Sequence, residues 1–172
     1  MIKQKPDNEC NLLFVGVAWH RKGGDKAVEI TRMLREKGIN AMLTIVGVDP
    51  GKPLKMLDYV KTYGFIKKSD HAGQALFKKI VADSHFLLLP TRADCTPIVY
   101  SEFNAHGIPA ITTNEGGIPS VIINDINGYM FDKDDSPDIF AEKIAQIFTD
   151  KKRYTDLCKS SFNEYKTRLN WE

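Results

Sequence analysis

At 172 residues the chain has the length of about one domain, and a 42% hydrophobic content supplies one core. Its 24 basic and 22 acidic residues leave a net charge of +2, so no global field favours nucleic acid or an anionic membrane, and any phosphate recognition must be local. Three widely spaced cysteines, Cys10, Cys95 and Cys158, exclude a disulfide framework or C-x-x-C zinc site, and no apolar run reaches the roughly 18 residues of a membrane span.

In chain order, the continuous apolar runs Leu12–Val17, Ala41–Val48, His85–Pro90 and Pro109–Thr113 predict strands buried on both faces. Tyr63–Ile66 is a weaker strand, and Gly128–Phe131 an edge strand. Helical patterns fall between them. Lys26–Lys37 carries Ala27, Ile30, Met33 and Leu34 on one stripe, with Gly38 as its stop. Asp70–Ala82 repeats the pattern with Leu76, Phe77, Ile80 and Val81. Thr96 caps a helix that opens at Pro97 and closes at Gly107. Pro137–Phe148 and Lys151–Leu169 complete the set. The alternation predicts one α/β domain over residues 1–172: a Rossmann-like, doubly wound, mainly parallel sheet with helices on both faces. Residues 1–11 read as a linker.

In such sheets the ligand crevice forms from loops at the carboxyl ends of the strands. The first is Ala18–Lys26, "AWHRKGGDK", where His20, Arg21 and Lys22 precede Gly23-Gly24 at the start of a helix. Free N–H groups beside a cation would receive anionic oxygens, and glycine would let a phosphate approach the backbone. A solvated basic turn fits the same residues.

Asp94 lies in the loop before the next helix. Glu102 shares a helical face with Ile98, Val99 and Ala105. A carboxylate on that stripe must be paired or hydrogen-bonded; it would accept two O–H groups of a vicinal diol, or pair with a neighbouring cation. Gly116-Gly117 opens a short helix at Ile118 or Pro119 and offers backbone N–H groups, or serves only as a turn. Around Gly64, Phe65 and Ile66 a nucleobase would stack or take backbone hydrogen bonds, though an ordinary connecting loop fits these residues better. Taken together these loops match a ligand carrying a pyrophosphate between two polyols.

Three blocks, "LLFVGVAWHRKGGDKAVE", "YGFIKKSD" and "LLLPTRADCTPIVYSEFNAHGIPAITTNEGGIPSVIINDINGYMF", resemble in order and spacing the C-terminal, donor-binding domain of a family 4 (group 1) glycosyltransferase of GT-B architecture. The resemblance covers nearly the whole chain. It implies that Asp94 and Glu102 stand at the two acidic positions of the E-x7-E motif, Glu102 on the ribose hydroxyls and Asp94 near the transferred hexose. It puts Lys22 on the donor phosphates and Gly116-Gly117-Ile118 beside the donor. The substrate it implies is a UDP- or GDP-linked sugar, with retention of configuration, no metal and no cofactor.

There are departures. Val17 stands where a phosphate-binding Arg is common, with Arg21 as its replacement from the loop, and Asp94 is one methylene shorter than Glu. Cys95-Thr96-Pro97 replaces Gly-Phe-Gly, so that Thr96 offers a hydroxyl and a cap. An enzyme of this architecture also needs an N-terminal acceptor domain, which this chain lacks. The resemblance therefore makes the chain one half of an enzyme; three sparse cysteines suited to a reducing compartment make the expected location cytoplasmic, with peripheral membrane association of the full-length protein left open. An epimerase-like domain of the same architecture, or a non-catalytic nucleotide-sugar-binding module, are the alternatives.

Overall fold

A computed structural model describes residues 5, 7–95 and 98–170. Six parallel strands form one sheet in the order β3-β2-β1-β4-β5-β6. They are β1 (Cys10–Val15), β2 (Ala41–Val46), β3 (Val60–Thr62), β4 (Phe86–Leu89), β5 (Ala110–Thr113) and β6 (Gly128–Phe131). β1 lies in register between β2 (Cys10 opposite Ala41) and β4 (Leu12 opposite Phe86). All four residues of β4 and all four of β5 are buried, as their uninterrupted apolar or threonine-bearing runs require.

The strand order runs outward from β1 in both directions. Right-handed crossovers therefore place the helix after β1 on one face and those around β4 and β5 on the other. The helices are α1 (Trp19–Lys22), α2 (Gly24–Glu36), α3 (Lys52–Lys55), α4 (His71–Asp83), α5 (Ile98–Asn104), α6 (Pro137–Thr149) and α7 (Lys151–Glu164). α2 buries Ala27, Ile30, Thr31 and Leu34 and lies against α6, whose Phe140, Ala141, Ile144 and Ile147 are buried in turn. α7 joins α6 and α5. The point where the order reverses, between β1 and β4, is where a doubly wound sheet leaves a crevice.

Several expectations shift. The third strand is Val60–Thr62, not Tyr63–Ile66: Gly64 takes φ 55°, and the side chain of Phe65 is 78% exposed, so its β-favouring aromatics lie beyond the strand. β1 takes in Cys10 and Asn11, which were expected in a linker. The basic segment after β1 is one turn of helix, α1, rather than open loop. On α4 the buried side chains are Ile80 and Val81, whereas Leu76 faces partly outward. The last helix changes to a π-helical turn at Tyr165–Leu169. Thr96 and Pro97, expected as N-cap and first helical residue, lie outside the described residues. Gly38 does stop α2, at φ 84°.

Candidate functional site

The loops after β1 and β4 meet at the switch point. Lys22, in the last turn of α1, reaches Asp94 across 72 residues of sequence, Nζ to Oδ2 at 2.5 Å, with side chains 14% and 5% exposed. Gly16 makes room for this: an added Cβ there would sit 3.2 Å from Lys22 Cγ. The loop backbone is fixed by Thr91. Its hydroxyl lies 2.9 Å from the Arg21 carbonyl and 3.0 Å from that of Ala93, and the Arg92 amide donates to the Arg21 carbonyl at 2.8 Å. Arg21 is exposed and donates through Nη1 to the Ala93 carbonyl at 3.2 Å.

A buried hydroxyl ladder extends this support to the next strand. Thr113 donates to the Thr91 carbonyl at 2.5 Å, and Thr112 to that of Leu89 at 2.9 Å. The Tyr100 hydroxyl in turn lies 2.8 Å from the Thr112 hydroxyl. Burial pushes the Tyr100 phenol up, so it stays a neutral donor at any physiological pH. The threonines Thr91, Thr112 and Thr113 were not expected at the site; a threonine pair ending an apolar strand marks Thr112 and Thr113, while Thr91, two residues beyond β4, carries no such signal.

The glycines let the loops pack closely on one another. Gly23, at φ 76°, closes α1 and opens α2, and a Cβ on it would fall 2.0 Å from the Pro90 carbonyl oxygen. The space glycine leaves is occupied by the loop after β4. Gly116, at φ 56°, would place a Cβ 2.3 Å from the Asp94 carbonyl, and that carbonyl accepts the Gly117 amide at 3.0 Å. The Ile118 amide donates to the Glu115 carbonyl at 3.1 Å, and the Ile118 side chain is fully buried. The Gly117 amide therefore clamps the Asp94 loop, and the Ile118 amide closes its own turn. At the start of α2 the first-turn anion is internal: Asp25 takes Arg92 bidentately, at 2.9 and 2.7 Å.

Glu102 lies on the outer face of α5. Tyr100, Ser101, Phe103 and Asn104 form the buried face and Val99 packs partly against the core, while Ile98 and Glu102 are exposed, so the stripe these two share is not the core face it was expected to be. Among the described residues the Glu102 carboxylate makes no hydrogen bond or ion pair. It lines a cavity of about 540 Å³ between α4 and α5, together with Lys68, Phe77, Ile98 and His106. Lys68 is held over the Phe77 ring at 3.9 Å. On the far side of the crevice the Gly64 carbonyl accepts the Gly47 amide at 2.6 Å, and Ile66 is packed against the core. Phe65 stands exposed between them. Lys22 and Asp94 are thus brought into contact, the glycine turn is joined to Asp94, and Glu102 and residues 64–66 lie apart along the same rim. Among the described residues no cluster of three His, Cys, Asp or Glu suits a metal ion, and no helix is long and apolar enough to cross a membrane.

Fold and site together define a Rossmann-like half of a GT-B architecture, with charged side chains gathered at the switch point. The chain belongs to the group 1 glycosyl transferases, whose family model matches residues 2–163. It is 28% identical to the spore coat protein SA of Bacillus subtilis (strain 168), over 94% of this chain and 45% of that protein. It is 27% identical to the putative colanic acid biosynthesis glycosyltransferase WcaL of Escherichia coli (strain K12), over 92% and 43%. It thus spans less than half the length of these relatives. Its fold matches the C-terminal domain of a group 1 glycosyl transferase, LpcC, from Francisella tularensis, with TM-score 0.77 and 17% identity over 95% of this chain and 87% of that one. It also matches Anabaena HepE, solved in complex with UDP-glucose, with TM-score 0.74 and 15% identity over 94% and 45%.

Proposed function

We propose that this chain is the donor-binding domain of a retaining glycosyltransferase that takes a sugar from a nucleoside-diphosphate sugar, UDP- or GDP-linked. The observation that carries the reading is Lys22, a cation from the β1 loop, held at the switch point by a group from the β4 loop. The Lys22 ammonium has three donors and one is taken by Asp94, which leaves two for diphosphate oxygens. Arg21 lies beside it as a second cation.

Glu102, open to solvent in its cavity, accepts the two ribose hydroxyls, and the base lies toward Gly64, Phe65 and Ile66. The sugar then lies toward the Asp94 loop and the Gly116-Gly117 turn. Thr96 is retained in this reading as a further donor-side hydroxyl. The domain's share of the rate comes from positioning and from cations aimed at the leaving diphosphate, with neither metal nor cofactor required of it. The acceptor, and the rest of the groups that complete the transition state, come from an N-terminal domain of the full-length protein, which acts in the cytoplasm. HepE, solved with UDP-glucose, lends support through its likeness of fold.

The test is a calorimetric titration of the chain with UDP, GDP and their hexose conjugates. Saturable binding of one nucleotide family is expected, and it should be much weakened in Glu102→Ala. Binding unaltered by that variant would remove Glu102 from the ribose, and no binding of any nucleotide by this chain or the full-length protein would overturn the assignment.

A further inference from the structure

Resting on the donor-binding reading, we propose that Arg168 is a positioning residue that fixes the Gly116-Gly117 turn for the sugar of the donor. It lies in the π-helical turn Tyr165–Leu169, which follows α7 and is closed by the Asn170 amide on the Tyr165 carbonyl at 2.8 Å. Turns of this kind are rare and recur at functional sites. Buried Leu169 anchors the turn, and the planar Arg168 guanidinium donates from all three of its nitrogens. Nη1 reaches the Ser120 carbonyl at 2.7 Å, Nη2 that of Val121 at 2.9 Å, and Nε the Glu164 carboxylate at 2.7 Å.

The two carbonyls belong to the segment that carries the glycine turn. Gly117 leads into one 3-10 turn, Ile118–Ser120, and the Ser120 amide and hydroxyl both donate back to the Gly117 carbonyl, at 3.1 and 2.6 Å. The Gly117 amide in turn donates to the Asp94 carbonyl at 3.0 Å. The Val121 carbonyl is shared: it also accepts the side-chain amide of Asn127 at 2.8 Å, which donates to the Asn104 side chain at 2.8 Å. Both asparagines are fully buried, and Asn104 sits on α5, the helix of Glu102. Tyr165, from the same π-helical turn, lines the cavity that holds Glu102. One short segment thus braces the glycine turn against the helix that carries Glu102. Without the guanidinium, Ser120 and Val121 lose these bonds and the glycine turn gains freedom, while Lys22 keeps its place on Asp94. The sugar end of the donor meets that turn and the nucleotide end does not, so the effect falls on the sugar.

The test compares Kd values for UDP, GDP, UDP-glucose and GDP-mannose in wild type, Arg168→Met, Arg168→Lys and Ser160→Ala, with the exchange rate of the Gly117 amide followed by NMR. Ser160 is the matched control, since its hydroxyl ties α7 to the Ile126 carbonyl and leaves the glycine turn untouched. Arg168→Met should weaken the sugar conjugate about three- to tenfold, with the free nucleotide unchanged, and speed Gly117 exchange. Arg168→Lys keeps a cation for the two carbonyls and should recover part of both effects; it also carries the measurement if Arg168→Met fails to fold, which circular dichroism reports. Ser160→Ala should change neither. Equal loss of nucleotide and conjugate, affinity indifferent to position 168, unaltered Gly117 exchange, or the same pattern in Ser160→Ala would each overturn the proposal. If no nucleotide binds even the wild-type chain or the full-length protein, the donor-binding reading itself falls; binding that ignores Arg168 overturns only the present inference.

Discussion

Replacing Gly23 by Ala separates two reasons for a glycine, because Gly38 supplies the matched control. Both residues have a left-handed backbone, φ 76° and φ 84°, but Gly38 has nothing within 4 Å of an added Cβ while Gly23 would set one 2.0 Å from the Pro90 carbonyl oxygen. The conformational term is common to the two, about 1–2 kcal/mol for an L side chain in that region. Only Gly23 carries the close approach. Ordinary contact begins at 3.4 Å, so Pro90 would have to retreat by about 1.4 Å, the difference between 3.4 and 2.0 Å.

Pro90 is followed directly by Thr91 and Arg92, so that retreat pulls on their hydrogen bonds to the Arg21 carbonyl at 2.9 and 2.8 Å. Each is worth about 1 kcal/mol net. Gly23→Ala should therefore cost about 3–4 kcal/mol against about 1–2 for Gly38→Ala, or roughly 6–16 °C in Tm against roughly 2–8 °C at this chain length. Urea unfolding followed by circular dichroism, with both variants at equal m-value, measures the difference. Equal losses would show that the contact with Pro90 does not hold the β1 and β4 loops together, and the account of the crevice given above would fail with it.

Other outcomes are as concrete. Glu102→Ala should leave stability within about 0.5 kcal/mol, since the side chain is exposed, yet weaken nucleotide binding by about 30- to 100-fold for two charge-assisted hydrogen bonds; calorimetry and thermal melts read the two separately. Asp25 has its carboxyl held below the ordinary range, chiefly by the hydrogen bond from Arg92. A depressed folded-state pKa gives stability that is present above the unfolded value and lost as pH falls through the folded one. Both partners are half-exposed, so Arg92→Met should cost about 0.5 kcal/mol at pH 7 and less near pH 2, and an undiminished cost in acid would contradict the ion-pair account. Of the three thiols, exposed Cys95 should react fast with Ellman's reagent, while Cys10 and Cys158, buried and with their thiols pushed up by burial, should wait for unfolding. Rapid loss of all three would show that the faces covering β1 and α7 open readily.

Much of this protein was set by its sequence alone. Uninterrupted runs such as "LLF" and "FLLL" cannot stand in water on either side, so they demand a sheet covered twice, and the helical stripes between them demand parallel crossovers. Local chemistry also placed the stop at Gly38 and gathered the charged and glycine-bearing residues at strand ends. What a one-dimensional pattern cannot carry is which distant loops touch. Strand order put β1 beside β4, and only that adjacency sets Lys22 against Asp94 and Pro90 against Gly23. Nor could helical periodicity tell which face of α5 turns inward, because Ile98 on one side and Val99, Tyr100 and Phe103 on the other are all apolar. Packing against β5 and α7 decided that, and left Glu102 exposed in the cavity between α4 and α5. The residue types of the site are local, written in the chain. Their pairing depends on long-range contacts, whose partners the fold alone selects.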